Sequence, residues 1–168
     1  MKKYLVFILA ALLVFGLGSV AWAQDPTATQ TVTYEVTAIN EISVSPETVS
    51  LKVDTATAGS QPTDATDDST TYAITTNGTG KVITGAIDTA MPEGLTLEVN
   101  LAAPSVGESV GGVDISSATT TAVDLVTAIG PVAQEGLTIT YTLSATVAAG
   151  VVTSAEKTVT FTLTDGSV

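Results

Sequence analysis

The chain has 168 residues, with 17 acidic against five cationic side chains, a net charge of −12, and no histidine or cysteine. Such a charge repels phosphate backbones and anionic lipid surfaces, which excludes nucleic acid and charged membranes as partners. All five cations are lysines, so Ser-His-Asp and Cys-His catalysis, histidine-held metals, arginine clamps and disulfides are excluded as well.

The first element is a leader. Lys2 and Lys3 precede an apolar run from Tyr4 to about Phe15, and small residues lead to Ala21-Trp22-Ala23. A basic start, a short apolar stretch and an Ala-x-Ala end predict a signal peptide, 1–23, cleaved before Gln24. The apolar run is short for a membrane anchor. Cleavage removes two lysines and no acids, taking the charge from −12 to −14. The expected product, 24–168, is one secreted domain at the cell surface with no membrane span, long enough to bury one core without disulfides.

Period-two alternation then recurs, the signature of strands with one buried face. In 31–38 (TVTYEVTA), Val32, Tyr34, Val36 and Ala38 share a face opposite threonines and Glu35. Ile42 and Val44 continue the pattern until Pro46, and Leu51 with Val53 predicts a short strand. Residues 56–69 read as a linker. Within it Asp64, Asp67 and Asp68 are the candidate calcium ligands, as clustered loop carboxylates suit that ion. They lack EF-hand spacing and its glycine, and a solvated acidic loop is the simpler account of them. No other cofactor is expected.

Residues 72–76 and 81–87 flank Asn77-Gly78-Thr79-Gly80, which predicts a hairpin because Asn-Gly supplies positive φ. Asn77 also begins a glycosylation sequon, but the turn accounts for the same residues. Leu95, Leu97, Val99 and Leu101 alternate with polar residues, and a second linker covers 102–117. The segment 116–129 is ambiguous. Ala122, Leu125, Val126 and Ile129 have helical spacing, while Val123 with Leu125 fits a strand; its threonines favour a strand with at most one helical turn before it. Alternation returns from Leu137 to Val147 and again in 157–165 (KTVTFTLTD), where Val159, Phe161 and Leu163 face inward. Glu93–Ala103 (EGLTLEVNLAA) echoes 135–145 (EGLTITYTLSA), which one turn-plus-strand solution used twice explains without duplication.

The fold class predicted is all-β, an antiparallel β-sandwich of about eight strands, immunoglobulin-like or jelly-roll-like. Threonine is β-branched and soluble, so the threonine columns belong on its outer face. Ice binding needs a flat, evenly spaced threonine array, which a twisted sandwich does not offer. The four aromatics of 24–168, Tyr34, Tyr72, Tyr141 and Phe161, all fall on expected inner faces. No pair of carboxylates is placed in a cleft by the sequence, so no enzyme is expected.

The leader and the frames TVTYEVTAI, STTYAITTNGTGKVITGAID and GLTITYTLSATVAAG resemble small secreted bacterial β-sandwich surface proteins, pilin-like and WxL-like. The Trp-x-Leu signature of WxL domains is absent, since the lone tryptophan, Trp22, lies in the leader. The resemblance implies a non-enzymatic extracellular structural or adhesive role. The first expectation is a subunit of a surface fibre, layer or matrix, self-associating by β-strand addition with 24–40 as donor and 157–165 as neighbour. The second is a soluble secreted adhesion module for glycans or other cell-surface proteins.

Overall fold

The computed structural model describes residues 26–166. The expected leader, 1–23, and its cleavage site lie outside the described residues. Two units divide at Glu35 and Val36. Of the first, 26–35 is exposed and forms no strand. The second is a β-sandwich.

Nine strands build it among the described residues: β1 (Asn40–Ser45), β2 (Ala65–Thr76), β3 (Lys81–Ile87), β4 (Leu95–Leu101), β5 (Glu108–Ser109), β6 (Val113–Asp114), β7 (Val123–Ile129), β8 (Val132–Ala145) and β9 (Val159–Asp165). One sheet has the order β1-β2-β8-β4-β6 and the other β5-β7-β3-β9, with every pairing antiparallel. The expected all-β sandwich is therefore present. The inner faces meet around Ile83, Val99, Leu101, Leu125, Ile129 and Ile139, all without solvent contact. Thr158, Thr160, Thr162 and Thr164 are all exposed, so the threonine column is the solvent face of β9.

Several local expectations are corrected. Val32, Tyr34 and Val36 do not face inward; they are 72, 90 and 78% exposed, and 31–38 forms no strand. Alternation marks a face that can be buried, not that it is buried. Leu51 and Val53 keep their half-buried alternation yet lie in no strand. The first linker is shorter than expected, because β2 begins at Ala65. The second linker carries β5 and β6, two residues each.

Asn77-Gly78 makes no hairpin. The strands it joins, β2 and β3, lie in different sheets. In 77–80 only Gly80 has positive φ, +65°. The Asn77 side chain instead accepts from the Ile39 N–H (2.9 Å) and donates to the Thr37 carbonyl (2.8 Å), holding the approach to β1.

Bulges explain the ambiguous spacings. In β7 the pairing slips between Lys81↔Ile129 and Ile83↔Val126, and again before Thr84↔Asp124. Ala128 has φ +53° at the first slip. Leu125, Val126 and Ile129 consequently all point inward from one strand, which imitates a helical period. The echoed Glu-Gly-Leu-Thr pieces differ in use. Gly94 (φ +81°) precedes β4, whereas Gly136 (φ +71°) sits inside β8 where its register with β2 shifts.

Candidate functional site: an open flank between the sheets

The two flanks of the sandwich end differently. At one, the sheets finish in β5 and β6, and the 101–114 crossing is tied down. The Ser109 hydroxyl donates to the Leu101 carbonyl (2.6 Å) and the Val110 N–H to the Leu125 carbonyl (3.0 Å). Two-residue edge strands leave little free backbone for pairing. At the other flank the sheets end in β1 and β9, of six and seven residues, each bonded on one side only.

This flank is incomplete. β1 covers β2 only from Thr71 to Thr76, because the chain leaves the sheet at Pro46. Residues 65–70 of β2 therefore have a neighbour, β8, on one side only. Beyond Pro46, 47–54 forms no backbone hydrogen bond among the described residues, and neither does 151–157 leading to β9. These two stretches wall a trough made of two adjoining clefts of about 590 and 830 Å³. Leu51, Met91, Leu143, Ala155 and Lys157 line both. Val159 and Phe161 of β9 are only half-buried above it, as are Val44 and Leu51 opposite. Exposed Val49, Val147 and Val152 form an apolar rim. Apolar surface gathered in one place marks an interaction site more than scattered residues do.

Two polar features distinguish the trough. Thr70 is 2% exposed, and its hydroxyl has no hydrogen-bond partner. It lines the smaller cleft with Tyr141, at the position just past the last β1–β2 pair, Ser45↔Thr71. A buried unpaired hydroxyl costs about 1–3 kcal/mol. Charge is the second feature. Of the three lysines in 24–168, Lys52 and Lys157 both stand on the walls, beside Asp54, Glu47 and Glu156. The trough is thus close to neutral on a strongly acidic protein. Lys157 is oriented by the Thr89 hydroxyl oxygen (2.6 Å) and the Ala90 carbonyl (3.1 Å). For neighbouring Asp88, desolvation raises the carboxyl pKa, but bonds from the Thr89 and Thr158 N–H groups and the charge of Lys157 outweigh it and leave the group below its ordinary value.

Tyr72 and Tyr141 are buried, and desolvation pushes each phenol up to about 12. The Tyr72 hydroxyl donates to the Ala102 carbonyl at 2.5 Å. That anchors a structural tyrosine, as expected for a buried phenol.

The sequence-derived calcium candidates are not brought together. Asp67 and Asp68 are consecutive in β2 rather than in a loop, and Asp64 precedes the strand. Asp67 Oδ1 accepts from the Ser69 N–H (3.1 Å) and hydroxyl (2.8 Å). Among the described residues no three carboxylates are arranged to hold a metal ion. No helix among them is long and apolar enough to cross a membrane. The trough is not legible in the sequence because one wall, 151–157, has no alternation, while Leu51 and Val53 on the other alternate as a paired strand would; the local signal is Pro46, which has no N–H to give a sheet neighbour. No protein-family model matches the chain, and neither a curated protein nor a solved structure matches it.

Proposed function

We propose that this chain is a non-enzymatic, secreted structural subunit of a cell-surface fibre, layer or matrix, and that it assembles by β-strand addition. One observation carries the reading. Residues 31–38 alternate as a half-buried strand does, yet they are unpaired, with Val32, Tyr34 and Val36 exposed. A row of exposed apolar residues is costly alone and favourable once buried in another sheet. The sandwich meanwhile keeps two long edges open on one flank. A donor segment and an acceptor edge on one chain make a heterologous contact, which propagates instead of closing on itself.

The test is size. The mature chain and a version lacking 24–36 are compared by sedimentation and electron microscopy across salt. The full mature chain polymerises, more strongly as salt screens its charge of −14. The shortened chain stays monomeric. A mature chain that is monomeric at high concentration, in high salt and in calcium, sinks the proposal. The alternative is a soluble adhesion module for glycans or surface proteins; the exposed ring of Tyr34 favours it, since sugars stack on such rings.

A further inference from the structure

We infer that the acceptor for the donated strand is the trough between 47–54 and 151–157, and that Tyr34 of a second copy enters it to pair its hydroxyl with Thr70. This rests on the strand-addition reading and adds the place and the register.

Three observations select the trough over the outer edge of β9. Its walls are stretches of backbone without backbone partners among the described residues, and the 65–70 edge of β2 is unpaired on that side. An inserted strand therefore finds donors and acceptors on offer, as well as an apolar floor. The floor and rim are largely apolar, and Val32, Tyr34 and Val36 lie two residues, about 7 Å, apart on one face of a strand. The one buried polar atom left without a partner among the described residues is the Thr70 hydroxyl, and it lines this cleft. Of the three donor side chains on that face only Tyr34 carries a hydrogen-bonding group. Burying a phenol requires a partner, and Thr70 requires one too. Charge does not oppose the insertion: 26–38 carries one acid, Glu35, which alternation turns away from the trough, and the walls nearly balance Lys52 and Lys157 against Glu47, Asp54 and Glu156.

The occupant is another copy rather than the chain's own segment. Thr37 and Ile39 are bonded to Asn77, at the start of β1. The trough opens past Ser45, about six strand residues or roughly 20 Å away. Tyr34 is three residues from Thr37, a reach of at most about 11 Å.

The experiment uses a labelled peptide of residues 28–39 and the full mature chain, diluted below any self-association. The peptide binds. Peptide with Tyr34→Phe binds about 5- to 10-fold more weakly, the loss of one hydrogen bond. Thr70→Val weakens the native peptide similarly, while raising the chain's own melting temperature because a buried unpaired hydroxyl is gone. The Phe peptide binds Thr70→Val at least as well as the native peptide does. A merely structural Thr70 would not couple to the peptide residue. Equal affinity of native and Phe peptides overturns the Tyr34–Thr70 pairing. Absence of peptide binding, while the mature chain still polymerises through 24–36, overturns the trough and leaves the fibre reading standing. Coupled peptide binding by a chain that never polymerises supports the trough and removes the fibre. No binding and no polymer removes both.

Discussion

Ile139, Phe161 and Tyr34 occupy equivalent inward positions in their sequence patterns, yet they meet three environments. Ile139 is fully buried, Phe161 half-buried above the trough, and Tyr34 exposed. Ile139→Ala should cost about 2–5 kcal/mol in urea unfolding of the monomer. Phe161→Ala should fall below the roughly 3–5 kcal/mol of a buried phenylalanine. Tyr34→Ala should stay within about 0.5 kcal/mol, as for an ordinary surface site. Equal losses at all three would mean that the open flank is closed in solution. Tyrosine ionisation gives a second check. Folded pKa values pushed up to about 12 for Tyr72 and Tyr141 lie above the ordinary 10. Their contribution to stability is complete below pH 10 and is lost as pH rises towards 12. Phenolate absorbance should show two late titrations that disappear on unfolding. Two ordinary titrations near 10 in the folded protein would contradict the burial.

At the scale of elements, the clean alternation of β4, the second half of β8, and β9 was legible because each has one face on the core. The same alternation in 31–38 misled, since it records that a face can be buried and not which molecule buries it. Asn77-Gly78 misled differently: a side chain that favours tight turns was used to bind Thr37 and Ile39. The candidate site was half legible. The proposed donor, 31–38, stands out in the sequence by its alternation, while the trough depends on where β1 stops against a longer β2, a tertiary fact. Carboxylate clustering between 64 and 68 is mere proximity along the chain, for adjacent strand residues point apart. Glycine positions give a test of the element geometry. At Gly94 a Cβ would lie 2.8 Å from the Ala149 N and the Thr146 Oγ1, on top of a φ of +81°. At Gly136 only the φ of +71° opposes it. Gly136→Ala should cost about 1–2 kcal/mol and Gly94→Ala distinctly more in thermal unfolding. The reverse order would show that the 146–149 turn does not pack on Gly94.

For the whole molecule, stability without disulfides comes from one core shared by two sheets, and one flank of that core is left open. A charge of −14 on 24–168 opposes indiscriminate clumping, and the strand-addition proposal therefore requires a surface where charge is nearly balanced. The trough is such a surface, and 26–38 carries a single acid, Glu35. Head-to-tail donation has a consequence that random aggregation lacks. A chain lacking 24–36 keeps its acceptor but has no donor, so it can be added to a growing end and then stops growth there. The most direct measurement is fibre length by electron microscopy as this shortened chain is titrated into full mature protein. Strand donation predicts fibres that shorten steadily with the fraction of shortened chain, each ending in one such subunit. Fibres of unchanged length that exclude the shortened chain, or a mature protein that forms no fibres at all, would contradict it.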